Sequence, residues 1–173
     1  MSPDGLIQRL LETGLLQPGI FEDAAEAAWQ WRLDMLPSYP DLLATLANGI
    51  TDMLQAMPID RLVCSPTALP LGVLVSAQTH LPLVYSRGQG ESAVYDLVGA
   101  YDIGHPACLL MYQSSETDVE RIIHSGASVG LNITAVIVVV EDSVPTLGVP
   151  LHVILGANDI QNVLRSTFKN STL

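Results

Sequence analysis

The chain has 173 residues, 49% of them apolar, with no uninterrupted apolar stretch long enough to span a bilayer, which predicts one soluble globular domain over residues 1–173. Eighteen acidic residues against seven basic ones give a formal charge of -11, which opposes nucleic acid and anionic membrane as partners and disfavours highly phosphorylated ligands. Arginines at positions 9, 32, 61, 87, 121 and 165 stand singly, and the one lysine, Lys169, falls in a polar tail over 166–173.

Ser2 can cap a first helix with Pro3 in its first turn and Leu6, Ile7, Leu10 and Leu11 on its apolar face, ended by Gly14. This opening does not read as a charged segment leading into an apolar one. Cys64 and Cys108 fall in predicted buried strands without metal spacing, so reduced core thiols and a cytoplasmic location are expected. Asp23 to Leu36 is open between two readings, because Ala24 to Ala28 favours helix while Trp29-Gln-Trp-Arg-Leu33 alternates as a strand does. Ser38 before Tyr39-Pro40-Asp41 starts a clearer helix, with Leu42, Leu43, Leu46, Ile50, Met53 and Leu54 inside it and Pro58 just beyond.

Arg61-Leu-Val-Cys64 predicts a strand, Ser65-Pro66-Thr67 a turn, Pro70 to Thr79 a helix and Leu83-Val-Tyr85 a second strand. Ser86 to Pro106 is glycine-rich and irregular, with room for one short hairpin around Val94 to Tyr101. Ala107 to Tyr112 and Asn132 to Val140 are apolar runs of strand length, separated by Gln113-Ser114-Ser115 and by an amphipathic helix from Glu116 to Ser125 that Gly126 stops. Runs without alternation belong to strands buried on both faces, hence to a parallel sheet. Leu151 to Leu155 is the last strand, and a closing helix begins at Asn158 or Asp159 and runs through Leu164. Strands alternating with helices predict an α/β fold, a mainly parallel central sheet with helices on both faces. Ligands in such a fold sit outside the carboxyl ends of the strands, which places a site at the loop after Tyr112.

This order of elements resembles the orotate phosphoribosyltransferases, and so do Leu6-Ile-Gln-Arg-Leu-Leu-Glu-Thr-Gly14, Ser38-Tyr-Pro-Asp-Leu-Leu43, Asp60-Arg-Leu-Val63 and Gly148-Val-Pro-Leu-His-Val153. The resemblance implies a single-domain phosphoribosyltransferase fold, a homodimer, and Mg²⁺ with phosphoribosyl pyrophosphate (PRPP) as the companions of an active enzyme. The functional motifs depart from it. The family ends a strand on an acidic pair followed by a threonine- and glycine-containing loop that holds the ribose 5-phosphate; here the strand ends Leu110-Met111-Tyr112 and the loop is Gln113-Ser114-Ser115. Ser115 and Asp118 have capping-box spacing instead, and Glu116, Asp118 and Glu120 would repel a phosphate from the same helix end.

Where the family has a Gly-Gly turn against pyrophosphate, this chain has Ser65-Pro66-Thr67-Ala68-Leu69-Pro70. Arg87 stands where the family has an arginine before a lysine-bearing loop, but Gly88-Gln-Gly-Glu91 carries no lysine to stabilise a leaving pyrophosphate. Near the N-terminus Glu22, Asp23 and Glu26 would repel an anionic base.

No catalytic residue and no metal ligand is assigned, since the four histidines lie far apart and Glu141-Asp142 is not followed by a glycine loop. Ser65, Thr67, Arg87, Ser114 and Ser115 are the ligand-binding candidates, each with a plainer use as cap, turn or surface ion pair. The expectation is a catalytically degenerate relative that binds a small metabolite or a protein partner and needs no cofactor. The alternatives are an active transferase with an atypical site, using Mg²⁺ and PRPP, and a structural dimer-forming subunit. Trp29, Trp31, Leu33, Met35 and Leu36 form an apolar cluster that serves either a homodimer interface or the monomer core.

Overall fold

A computed structural model describes residues 3–18, 29–88, 96–101, 104–114, 116–141 and 147–169. Helix α1 (Pro3–Glu12) leads into a short antiparallel ribbon of β1 (Leu16–Pro18) and β2 (Trp29–Trp31), followed by a 3-10 turn over Leu33–Ser38 and helix α2 (Pro40–Gln55). The alternation of Trp29-Gln-Trp31 is therefore a strand. The helical alternative, at Ala24 to Ala28, lies outside the described residues. Pro40 sits at the start of α2, where its missing N–H costs no helical hydrogen bond, and Tyr39 rather than Ser38 is the capping position. Leu42, Leu46, Ala47, Ile50 and Leu54 form the buried stripe of α2.

The remaining elements are β3 (Arg61–Cys64), α3 (Leu69–Thr79), β4 (Leu83–Ser86), β5 (Leu97–Gly99), β6 (Pro106–Gln113), α4 (Glu116–Ser128), β7 (Asn132–Val140), β8 (Leu151–Leu155) and α5 (Ala157–Lys169). They build a six-stranded sheet in the order β5-β4-β3-β6-β7-β8. All neighbours are parallel except β5, which runs antiparallel to β4. The four strands expected at the centre are all present, and β7 lies inside the sheet between β6 and β8. Val136 to Val140 are fully buried, as a strand covered on both faces requires. Among the described residues no helix is long and apolar enough to cross a membrane.

Two cores sandwich the sheet. On one face Leu6, Ile7 and Leu10 of α1, the α2 stripe, Leu71 and Val75 of α3, and Ile160 and Val163 of α5 pack on Leu62, Leu110 and Ile137. On the other, Val119 and Ile122 of α4 pack on Val63, Leu109 and Val136. Leu33 and Leu36 are buried at 2% and 0% exposure in the first core, so this part of the apolar cluster completes the monomer, while Met35 remains 40% exposed.

Three local expectations are corrected. Gly126 does not stop its helix, because α4 continues to Ser128. A Cβ at Gly126 would stand 3.1 Å from Ile133 Cδ1, so the missing side chain serves close packing against β7. The reversal is made at Gly130, φ +85°, with the Leu131 N–H donating to the Gly126 carbonyl at 2.9 Å. The hairpin placed around Val94 to Tyr101 is instead the pairing of β5 with β4. It depends on Gly99, whose φ is +137° and whose Cβ would lie 2.5 Å from the Leu83 carbonyl oxygen. The closing helix runs to Lys169, so residues 166–169 of the segment read as a polar tail are helical.

Candidate functional site

The sheet order reverses at β3. From β3 the chain crosses over α3 to β4 on one side, then returns to place β6 on the other. Crossovers leaving in opposite directions open a crevice at the carboxyl ends of the two strands, and ligands of open α/β sheets bind there. A cleft of about 370 Å³ occupies this place, within the roughly 300–1,000 Å³ range of small-molecule sites. Its floor is Ser65-Pro66-Thr67 after β3 and Met111-Tyr112-Gln113 at the end of β6, and Trp31, Leu33, Asp34, Gly88 and Arg121 complete the wall.

Ser65 and Thr67 are thus cleft residues, but their hydroxyls are engaged with each other and with the backbone. Ser65 Oγ lies 3.1 Å from Thr67 Oγ1 and accepts the Ala68 N–H at 3.3 Å, which ties down the turn into α3. Ser114 is 1% exposed, its N–H donates to the Val140 carbonyl at 3.4 Å, and it does not line the cleft. Arg87 has an exposed side chain, and its backbone N–H donates to the Asp96 carbonyl at 2.8 Å. Neither Arg87 nor Ser114 reaches the cleft wall. Ser115, and the capping box drawn from it, lie outside the described residues.

A buried polar cluster on the cleft wall was not foreseen. Asp96, 1% exposed, accepts a hydrogen bond from Arg121 Nη1 at 2.9 Å and another from the Ser86 hydroxyl at 2.8 Å. Ser86 Oγ in turn accepts the Gly88 N–H at 3.1 Å and Arg121 Nη2 at 3.4 Å. The carboxylate is charged where water hardly reaches it, so the guanidinium is its counter-ion and both groups are committed to each other. No local pattern announces this contact, which joins α4 to the β4–β5 edge across 25 residues of sequence.

Tyr112 is the other unforeseen member. It is 3% exposed, and its hydroxyl is buried with no hydrogen-bond partner among the described residues. Burial, with the neighbouring Cys64 thiol adding repulsion between anions, raises the phenol to about 12, so it stays neutral and keeps its proton. A phenol ending an apolar strand beside a switch point was the available sequence signal.

Mg²⁺ is held through oxygen ligands, usually one or two carboxylates plus substrate phosphates. The carboxyl end of β6 offers Tyr112, Gln113 and Ser114. Among the described residues no group of three or more His, Cys, Asp or Glu side chains converges. Among the described residues the carboxyl end of β6 offers the ion no carboxylate.

Neither a protein-family model nor a curated protein matches this chain. Solved structures do. The Leishmania donovani UMP synthase superimposes with a TM-score of 0.81 at 22% identity, over 97% of this chain and 39% of the synthase chain. Orotate phosphoribosyltransferase from Aeropyrum pernix gives a TM-score of 0.72 at 16% identity, covering 94% of this chain and 99% of that one. The Francisella tularensis orotate phosphoribosyltransferase gives 0.70 at 15% identity, covering 95% and 98%. The chain therefore spans well under half of the synthase and almost the whole of each single-domain transferase. With the strand order, the switch-point cleft and these superpositions in agreement, the chain has the phosphoribosyltransferase fold in the form that orotate phosphoribosyltransferases adopt.

Proposed function

We propose that this protein is an orotate phosphoribosyltransferase-like protein that has lost the transferase reaction and binds a small metabolite through the switch-point cleft, acting in the cytoplasm. The observation that carries the proposal is the connection from β6 to α4: β6 ends at Gln113 and α4 opens at Glu116, leaving two residues between them. The resemblance calls there for an acidic pair and a phosphate-holding loop. A two-residue connection offers a phosphate fewer loop N–H groups than such a loop, leaving mainly the first turn of α4. The turn after β3, which would face pyrophosphate, is closed on itself by the Ser65 and Thr67 hydroxyls.

Incubation with orotate, PRPP and Mg²⁺ should give no protein-dependent loss of orotate absorbance. Turnover that disappears in Arg87→Ala would restore the active transferase. In parallel, a thermal-shift screen over nucleotides, orotate and PRPP, with and without Mg²⁺, registers any molecule that prefers the folded state.

Homodimerisation is a second proposal. With Leu33 and Leu36 already buried in the monomer, its support rests on the exposed apolar side chains Met35 at 40% and Val73 at 53%. Light scattering at micromolar concentration should give twice the chain mass of 18.5 kDa; a monomeric mass removes the dimer.

A further inference from the structure

Helix α3 opens at the cleft floor, where a helix start ordinarily presents N–H groups to an anion. Here the Ala68 N–H donates to Ser65 Oγ at 3.3 Å and the Leu69 N–H to the Pro66 carbonyl at 3.4 Å, while Pro70, next in the first turn, has no N–H. The Ser65 N–H donates to the Leu110 carbonyl at 3.1 Å, and the Gly88 N–H to Ser86 Oγ at 3.1 Å. These backbone donors are occupied. That leaves Arg121, the one cationic side chain among the described wall residues, as the group an anion would seek.

The Arg121 side chain is 26% exposed, and its guanidinium end lies at the wall. Nη2 is 3.4 Å from Ser86 Oγ, the same oxygen that accepts the N–H of Gly88, which is itself a wall residue. The charge is already matched by Asp96, 2.9 Å from Nη1 and 1% exposed. A carboxylate so buried attracts the guanidinium without the screening that water gives an exposed pair, so a ligand anion would have to compete with one already in place. Asp34, the one carboxylate among the described wall residues, is 66% exposed and 3.6 Å from Arg32, where water and salt weaken its field.

Resting on the reading of the cleft as a small-molecule site, we propose that Asp96 is its specificity-determining residue. By holding Arg121, it sets the cleft to take uncharged or cationic metabolites and to turn away carboxylates and phosphates. Asp96 is not among the residues lining the cleft, so it acts through Arg121 as a positioning residue.

The test is titration calorimetry of the full chain with inorganic pyrophosphate, without metal and at constant ionic strength. The natural chain should show no binding at millimolar concentration. Asp96→Asn, which keeps an acceptor for Nη1 but carries no charge, should bind at least about tenfold more tightly than that limit. Asp34→Asn makes the same change in net charge on the same wall and should gain less than about twofold. Adding Arg121→Met to Asp96→Asn should abolish the gain. A folded Asp96→Asn that gains nothing, an equal gain in Asp34→Asn, a gain that survives the loss of Arg121, or Arg121-dependent binding by the natural chain would each overturn the proposal. Asp96→Ser takes the place of Asp96→Asn if circular dichroism shows the latter unfolded, and failure of both to fold would make Asp96 a structural residue only and remove its role in selection. The thermal-shift screen decides the metabolite-binding reading separately. A blank screen beside a pyrophosphate gain removes that reading and leaves Asp96 in control of the cleft's charge; hits beside no gain uphold the reading and remove only the role of Asp96.

Discussion

Replacing Arg121 by methionine should lower the free energy of unfolding by about 3 kcal/mol, toward the lower end of what removing one partner from a buried ion pair costs. The reason is asymmetric exposure. Asp96 has a side chain only 1% exposed, whereas Arg121 is 26% exposed, so the variant strands a carboxylate that water cannot reach, while the cation it loses was already partly hydrated. Ser86 still donates to Asp96 at 2.8 Å, which softens the loss without neutralising the charge. Urea denaturation at neutral pH measures the effect as a lower midpoint at unchanged slope. The double variant Arg121→Met, Asp96→Leu should recover much of it, because no buried charge is then left unpaired. A single variant as stable as the natural chain would mean that Asp96 is not dependent on this counter-ion.

Alkaline pH should unfold the protein through its buried thiols. Burial raises Cys64 and Cys108 from the ordinary value of 9.0 to about 12 each. An unfolded chain releases both protons near pH 9, while the folded chain retains them until about pH 12, so the folded state binds more protons throughout that interval. Stability is therefore fully present below pH 9 and falls as pH rises between the two values. At about pH 10.5 each thiol accounts for a loss of about 2 kcal/mol, which together is comparable to the whole stability of a marginal domain. Tyr112, raised from 10.0 to about 12 by burial and then by Cys64, steepens the upper part of the interval. Urea midpoints measured from pH 8 to pH 11 should fall accordingly. Cys64→Ala with Cys108→Ala should begin lower, since two buried sulfurs are lost, and then decline less steeply. Equal slopes would show that the thiols are not responsible.

The legible parts of this molecule are those whose environment is uniform along the chain. β6 and β7 are buried on both faces, so their apolar runs declare both strand and parallel pairing, and α2 declares itself by a stripe repeating at helical spacing. Ser65 and Thr67 were candidates because they stand where the resembled family turns against pyrophosphate, and both line the cleft. What failed depended on single distant contacts. β5 is three residues long and pairs only because Gly99 can approach the Leu83 carbonyl. Gly126 reads as a helix stop until Ile133, on the next strand, shows why a side chain is excluded. Arg87 drew attention by position, yet its neighbours Ser86 and Gly88 join the polar cluster while its own side chain is exposed. Arg121, read as one more scattered arginine, is the cation at the cleft because a carboxylate 25 residues away was folded against it.

That pairing changes how the sheet opens. β5 is an edge strand with one neighbour and three residues, the kind of element that ordinarily frays first. Asp96 precedes it directly and is fastened to Arg121 in the middle of α4. Peeling β5 away would drag a buried charge from its counter-ion, so the edge has no cheap local route to detachment. Amide protons of Leu97 to Gly99 are thereby placed in the same cooperative unit as α4 and the sheet centre, and their exchange with solvent belongs with the slow protons of the core.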